Sequence, residues 1–356
     1  MRRAAERAPL SPPVPSDLTA RPSRKSSKPT FAILALLFVG IAVVSLALGR
    51  YHIPLREVVT ILFGKLTGAH ADSTSANVLI SLRLPRIIVA AVVGAALACA
   101  GSAYQGLFRN PMVSPDILGA SAGAGFGAAL GILLSLGGAG VEISAFFFGV
   151  LAVAITYFLS TVLGKTISSV LVLVLAGMVI GNLFVAFTSA VKFVADPNSQ
   201  LPEITFWLMG GLSAVRGSDL LWLLPAFGVG TAGLLALRWR LNIMSCGEEE
   251  ALSLGVDVRR MRYATIAFAT LLTSSAVAIA GMVGWVGLII PHLARFLVGS
   301  DHRVLIPASM LMGASFLLLV DDVCRSIYTT EIPLTIVTSV IGAPLFIYLI
   351  SRQRRS

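Results

Sequence analysis

Long runs of apolar residues, separated by short polar segments, dominate the chain. A helix needs about 20 mostly apolar residues to cross the hydrocarbon core of a bilayer. Ten apolar segments, most of them near that length, lie approximately at 31–48, 84–108, 116–136, 141–163, 168–194, 219–237, 263–281, 286–298, 304–324 and 334–351. The pattern therefore predicts an all-α polytopic membrane protein with ten transmembrane helices.

The segment 286–298 is short for a span and contains Pro291. The region that includes it is nevertheless too long for one helix, and Gly281, Gly284 and Gly287 favour a break within it. We therefore predict two helices joined by a tight turn.

Both ends of the chain are polar. Residues 1–30 are rich in proline, serine and arginine, which predicts a disordered basic tail on the cytoplasmic side. Residues 352–356 form a second short cytoplasmic tail after the membrane domain at 31–351. Basic residues before the first apolar run also fit a signal peptide, with Ser45 and Ala47 as a weak cleavage site. The run is longer than a typical signal-peptide core, so we predict a retained first helix.

Composition and charge agree with a membrane protein. Apolar residues make up 56% of the chain and charged residues only 12%, whereas soluble domains carry about a quarter charged residues. The net charge of +10 would suit nucleic acid, but the basic residues lie in short clusters between apolar runs. With ten spans and both termini in the cytoplasm, 19 of the 27 lysines and arginines lie on the cytoplasmic side, as the positive-inside rule expects.

The sequence lacks the residue patterns of an enzyme. Its four histidines are scattered, and its three cysteines have neither metal-ligand nor disulfide spacing. Helix centres are nearly free of charge, which argues against coupling to an ion gradient. The run Gly164-Lys165-Thr166 resembles the end of a phosphate-binding loop, but Leu159 stands where that loop needs glycine. We therefore predict no catalytic residue, metal site or cofactor in this chain, and any ATP is bound by another chain.

The polar segment 238–262 is the longest loop predicted on the cytoplasmic side. Ser245 and Glu248 fit a capping box, and Gly255 supplies a helix stop. We predict a short helix here, which either docks into a groove of a partner or lies against its own membrane domain. Its apolar side is formed by Ala251, Leu252 and Leu254.

Arginines lie at the predicted outer ends of two helices. Arg83 and Arg86 open the second helix, and Arg325 ends the ninth. A guanidinium fork suits carboxylates on a docking protein. Snorkelling to the interface is one alternative, and for Arg325 an internal pair with Asp321, four residues earlier, is another.

The second and third predicted helices are rich in glycine, alanine and serine. Small residues let helix backbones approach closely in lipid. We therefore expect these two helices at the centre of the bundle.

Several short motifs occur in order between residues 31 and 351. They are Arg83-Leu84-Pro85-Arg86, the stretch 105–115 (QGLFRNPMVSP) leading to Leu118-Gly119-Ala120-Ser121, Phe206-Trp207-Leu208-Met209-Gly210, Glu250-Ala251 with Leu254-Gly255, the stretch 287–292 (GLIIPH), Asp301-His302-Arg303, Glu331-Ile332-Pro333 and Gly342-Ala343-Pro344. In this combination the chain resembles the FecCD-type permeases of iron–siderophore, haem and vitamin B12 importers.

The resemblance implies a type II ABC importer permease with ten helices in the bacterial inner membrane. It implies a homodimer, or a heterodimer of two such permeases, two cytoplasmic ATPase subunits that bind ATP and magnesium, and a periplasmic binding protein. An iron chelate of the siderophore type is the expected cargo; haem, cobalamin and molybdate are alternatives. A stand-alone secondary transporter and a membrane-embedded enzyme are the competing functions.

The resemblance also gives four sets of residues an expected role. The binding protein is expected to dock on Arg83, Arg86 and Arg325. Coupling to the ATPase is expected at Glu250, Ala251, Leu254 and Gly255. The cytoplasmic gate is expected at Asn110, Met112, Ser168 and Ser169. The pathway is expected along the fifth helix, at Met178, Asn182 and Ser189.

Overall fold

A computed structural model gives the architecture and describes residues 28–49, 51, 53–67, 73–163, 169–328 and 330–353. In these ranges the regular secondary structure is helical. The α-helices are α1 (Lys28–Ala47), α2 (Leu55–Thr67), α3 (Thr74–Asn77), α4 (Leu84–Leu107), α5 (Ala120–Leu133), α6 (Gly137–Leu163), α7 (Ser169–Val194), α8 (Gln200–Leu208), α9 (Leu220–Cys246), α10 (Glu248–Ser253), α11 (Val258–Ala280), α12 (Val286–Val298), α13 (His302–Ser326) and α14 (Leu334–Gln353).

All ten apolar segments predicted from the sequence contain a helix. They correspond to α1, α4, α5, α6, α7, α9, α11, α12, α13 and α14. Seven of the described helices are long and apolar enough to cross a membrane, while Ala120–Leu133, Val286–Val298 and Leu334–Leu349 are shorter. An all-helical architecture with several candidate spans is confirmed, whereas the count of ten spans stays a prediction.

Three helix boundaries differ from the prediction. The first helix begins at Lys28, inside the segment predicted as a disordered tail, because Pro29 is tolerated in a first helical turn. Residues 1–27 lie outside the described residues. α9 continues to Cys246 through part of the predicted cytoplasmic loop, since Arg238, Arg240 and Leu241 are good helix formers. α14 runs on to Gln353.

Three short helices have no counterpart in the prediction. α2, α3 and α8 contain no long apolar run, which is the signal that the prediction used. α3 continues through a π-helical turn, Val78–Arg83, directly into α4.

α4 lies at the centre of the bundle, as its small residues predict. In the most apolar window of the continuous helix Thr74–Leu107, 89% of the residues are buried, against 11% for α1. Gly94 packs directly on Gly313 of α13, because a Cβ added at Gly94 would lie 2.2 Å from the Gly313 carbonyl oxygen. α5 packs closely on α6 in the same manner: a Cβ at Gly127 would lie 2.3 Å from the Ser144 carbonyl oxygen.

Three segments at helix ends meet at what we term the three-segment crossing, formed by residues 209–211, 280–285 and 333–335. The Leu334 N–H donates to the Gly210 carbonyl at 3.0 Å. The Thr335 hydroxyl donates to the Met282 carbonyl at 2.6 Å. Gly210 has φ of 72°, and a Cβ there would lie 2.4 Å from the Met282 carbonyl oxygen, so only glycine fits without displacement. The predicted break between α11 and α12 is part of this crossing.

Candidate functional site

Between α4 and α5 the chain turns back into the bundle, in what we term the re-entrant turn, residues 114–119. The Ile117 carbonyl packs on Gly177, where an added Cβ would lie 2.2 Å from its oxygen. Gly177 lies eight residues after the start of α7, a rise of about 12 Å. The Thr156 hydroxyl of α6 donates to the Leu118 carbonyl at 3.1 Å. The turn thus lies well inside the bundle, which explains why α5 has only 14 residues and starts later than predicted.

Two predicted gate residues lie on the loop that leads into the re-entrant turn. The side chains of Asn110 and Met112 are exposed, and the side-chain Oδ1 of Asn110 accepts a hydrogen bond from the Met112 N–H at 2.9 Å. Ser168 lies outside the described residues, and for Ser169 only the backbone, which begins α7, is described. The gate assignment therefore stays a prediction.

The predicted pathway residues share the exposed surface of α7. Met178, Asn182 and Ser189 all have exposed side chains, whereas Ile180 and Phe184 on the same helix are buried. The Ser189 hydroxyl donates to the Val185 carbonyl at 3.0 Å, a bond within the helix. Asn182 thus places an exposed amide in the middle of an apolar helix. The pathway assignment also stays a prediction.

Arg86 is held by two carboxylates of the same chain. Its guanidinium donates to Asp321, with Nη2–Oδ1 at 2.7 Å, and to Glu331, with Nη1–Oε1 at 2.8 Å. The Asp321 side chain is fully buried. A charge-assisted, forked contact of this kind is among the stronger hydrogen-bonded pairs in proteins. Arg86 thereby ties α4 to α13 and to the segment before α14.

Arg83 and Arg325 are also engaged within the chain, and both are 6% exposed. Arg83 Nη1 donates to the Leu46 carbonyl at 2.7 Å. Arg325 Nη2 lies 2.5 Å from Asp322 Oδ1, while its Nε is 3.8 Å from Asp321, the partner predicted for it. The geometry therefore favours internal pairing, mainly with Asp322. Docking of a binding protein on the three arginines stays a prediction.

α10 is the predicted short helix after α9. Its C-terminal stop is confirmed: Gly255 has φ of 75°, and its N–H donates to the Leu252 carbonyl at 3.0 Å. The capping box with Ser245 is wrong, because Ser245 lies in the last turn of α9, where its hydroxyl donates to Leu241. Gly247 takes the N-cap position instead, and no side chain caps the helix.

The two sides of α10 differ sharply in exposure. Ala251 is fully buried, whereas Leu252 is 61% and Leu254 66% exposed. Glu250 is exposed as well, and Glu248 binds Arg262 of α11 with an N–O distance of 2.5 Å. Of the predicted apolar side, one residue therefore fixes α10 to its own chain, and the two leucines remain on the surface of this chain.

Asp116, in the re-entrant turn, is a charged residue that the sequence analysis did not single out. Its carboxylate accepts hydrogen bonds from the hydroxyls of Ser121 and, at 3.3 Å, Ser114, and its side chain is exposed. The apolar segment 116–136 predicts it at a helix end. Asp directly after Pro115 is a turn signal that could have located it.

The class of the protein follows from its architecture. Long apolar helices form a bundle that contains a re-entrant turn, and a short helix beside the bundle exposes leucines. The protein is an integral membrane protein with the architecture of a transport permease.

Comparison with known proteins places the chain within that class. The model of the FecCD transport family matches residues 35–352. The molybdate import system permease protein MolB of Haemophilus influenzae is 42% identical, over 90% of this chain and 95% of its own length. The hemin transport system permease protein HmuU of Yersinia pestis is 35% identical, over 90% and 96%. The chain belongs to the FecCD transport family, and it is the permease of an ABC importer.

A solved structure supports the same conclusion. An ABC transporter described as a proposed metal-chelate type, in an inward-facing conformation, is 40% identical with a TM-score of 0.82. The match covers 91% of this chain and 99% of the solved chain.

Proposed function

We propose that this permease carries an iron(III) chelate of the siderophore type from a periplasmic binding protein to the cytoplasm. The observation that carries the proposal is the 40% identity, over 91% of the chain, to the transporter described as of a metal-chelate type. A Helicobacter pylori protein described as a probable iron chelatin permease is 37% identical over 90% of the chain, which supports the same kind of cargo. The chain itself performs no catalysis.

The proposed assembly contains two permease copies, or this permease and a paralogue, in the bacterial inner membrane with all termini cytoplasmic. Two ATPase subunits bind ATP and magnesium and rest on α10 of each permease. The exposed leucines of α10 support this, because an apolar helix side left on a water-facing surface is suited to a groove of a partner. The binding protein docks on the opposite face.

Molybdate is a second candidate cargo, since the permease of a molybdate import system is 42% identical to the chain over nearly its whole length. Haem and cobalamin are further alternatives, given relatives with those cargoes in their names. Iron chelate and molybdate differ in size and charge, so one transport assay separates them.

The test is uptake by the complete transporter in proteoliposomes, with its ATPase and binding protein. We expect ATP-dependent accumulation of a ferric siderophore and none of radioactive molybdate. Accumulation of molybdate alone would assign the second cargo. Uptake driven by a proton gradient, by the permease without its ATPase, would overturn the importer assignment in favour of a secondary transporter.

A further inference from the structure

The re-entrant turn places a carboxylate at membrane depth. Pro115, next to Asp116, packs on Gly287: a Cβ added there would lie 2.4 Å from Pro115 Cγ and 2.9 Å from the Leu97 carbonyl oxygen. Leu97 lies ten residues before the end of α4, which is a distance of about 15 Å along the helix. The hydrocarbon core of a bilayer is about 30 Å thick. Asp116 is therefore far from either end of the bundle.

Asp116 is nevertheless exposed in the single chain. Its hydrogen-bond partners are two serine hydroxyls of the same turn region, and none of the ion pairs found among the described residues includes it. A charged side chain facing lipid costs several kcal/mol, and charged residues within membranes almost always face a protein interior or a water-filled cavity. Backbone outside an α-helix at this depth, such as the 3-10 turn Pro115–Leu118, is subject to the same restriction. The exposed side of the turn must therefore face water or a second copy of the chain.

The same surface continues onto α7. Ile117 packs on Gly177, and Gly119 packs on Gly181. A Cβ added at Gly119 would lie 3.3 Å from the Gly181 nitrogen. Met178, which follows Gly177, and Asn182, which follows Gly181, have exposed side chains. An exposed carboxylate and an exposed amide thus flank one contact between the turn and α7.

We propose that Asp116 lines the translocation route and acts as a fixed negative charge that disfavours anionic cargo. The inference rests on the proposed transport function and refines it: the substrate class is a neutral or cationic chelate, rather than a polyanionic chelate or an oxyanion such as molybdate. Fixed charges lining a pore select by sign in this way. In a dimer the two copies would present two such carboxylates.

The test measures the local potential with a cysteine in place of Met178. Cys246 is exposed and is changed to serine, while Cys99 and Cys324 are buried and are kept. The complete transporter is exposed to two methanethiosulfonates of similar size, one carrying trimethylammonium and the other sulfonate, and the ratio of their reaction rates is recorded. A unit charge at about 8 Å in water changes this ratio by about fivefold.

We expect the Met178→Cys site to react with both reagents and to prefer the cationic one. Asp116→Asn keeps an acceptor oxygen for one serine and offers an N–H donor to the hydroxyl of the other. It should lower that preference about fivefold, and Asp116→Glu should restore it. The control is Asp196→Asn in the loop after α7, since hydrogen bonds from Ser199 and from backbone N–H groups lower the pKa of Asp196 and keep it charged. It should leave the ratio unchanged.

Two results would overturn the inference. Failure of Met178→Cys to react at all would show that this surface is packed or faces lipid. A rate ratio that Asp116→Asn does not change would show that the carboxylate is uncharged or not on the route. Failure of the proposed function gives a different result, because the unmodified transporter would then not accumulate any chelate with ATP.

Discussion

Loss of Arg86 should lower the stability of the permease strongly, because its guanidinium pairs with two carboxylates of the same chain. Changing Arg86 to Met leaves the fully buried Asp321 without its main partner. Removing one member of a buried ion pair typically costs about 3–5 kcal/mol. We expect a large fall in the thermal midpoint of the purified permease, measured by fluorescence in detergent.

Two further variants complete this test. Arg56→Met removes an exposed cation from α2 and should leave the midpoint nearly unchanged. Adding Asp321→Asn to Arg86→Met should recover part of the loss, because the uncompensated charge is then gone. An unaltered midpoint in Arg86→Met alone would mean that the pair is not formed. If the double variant also bound its binding protein normally, Arg86 would have no part in docking.

For individual residues, the sequence identified unusual charged positions but did not identify the partners that they contact. Arg83, Arg86 and Arg325 stand out because charge is rare in an apolar chain. Arg86, however, binds a carboxylate 235 positions away, and no local spacing reveals such a partner. Asp116 was missed for the converse reason: it directly adjoins an apolar run, so hydropathy merged it with the helix that follows.

α10 provides a contrast between two residues three positions apart. Leu254→Asp changes an exposed side chain and should abolish co-purification of the ATPase while the permease remains folded. Ala251→Asp places a charge in a fully buried site and should unfold the segment itself. Pull-down of the ATPase and size-exclusion chromatography of the permease distinguish the two.

The matched control for this surface is Leu136→Asp, which alters another exposed leucine, between α5 and α6. It should leave ATPase binding intact. Retained binding in Leu254→Asp would disprove the role of α10 in coupling.

The contact between α4 and α13 tolerates no added side chain. A Cβ at Gly313 would lie 2.3 Å from the Gly94 carbonyl oxygen, so Gly313→Ala should destabilise the bundle by about 1–3 kcal/mol. At Gly40 in α1, an added Cβ would meet no neighbouring atom of the described residues within 4 Å, and Gly40→Ala should be neutral or slightly stabilising. Thermal unfolding of both variants is the measurement, and equal midpoints would contradict the close contact.

Helices could be predicted from the sequence where hydrophobicity alone determines their position. Every apolar run contains a helix because its backbone must satisfy its own hydrogen bonds in lipid. The end of α9 was not predictable in this way, since Arg238 and Arg240 are polar but are good helix formers. The start of α5 depends on a turn that packs against α6 and α7, and such tertiary contacts leave no periodic signal.

The predicted ten-span topology of the whole chain can be tested by labelling cysteines from either side of the membrane. With ten spans, Asn198 lies outside and the natural Cys246 lies in the cytoplasm. A membrane-impermeant maleimide should label Asn198→Cys, in a Cys246→Ser background, in cells with a permeable outer membrane and an intact inner one. Cys246 itself should react only after the inner membrane is opened. Labelling of Cys246 in intact cells would require an odd number of crossings before it.

At the scale of the molecule, the family was predictable from ordered motifs, and the cargo was not. Motifs such as 105–115 and 287–292 form turns and helix contacts that any cargo would require. The inferred charge of Asp116 on the translocation route bears more directly on the cargo, because it would act on any molecule that crosses.

The three-segment crossing also bears on the order of assembly during synthesis. Its last part, Leu334 and Thr335, belongs to α14, which is synthesised after the segments that form the other two parts. Until that helix inserts, the Gly210 and Met282 carbonyls lack the bonds it supplies. The nascent bundle therefore stays incomplete on that side through most of translation, and a chain interrupted before residue 334 would present unpaired backbone to quality-control proteases.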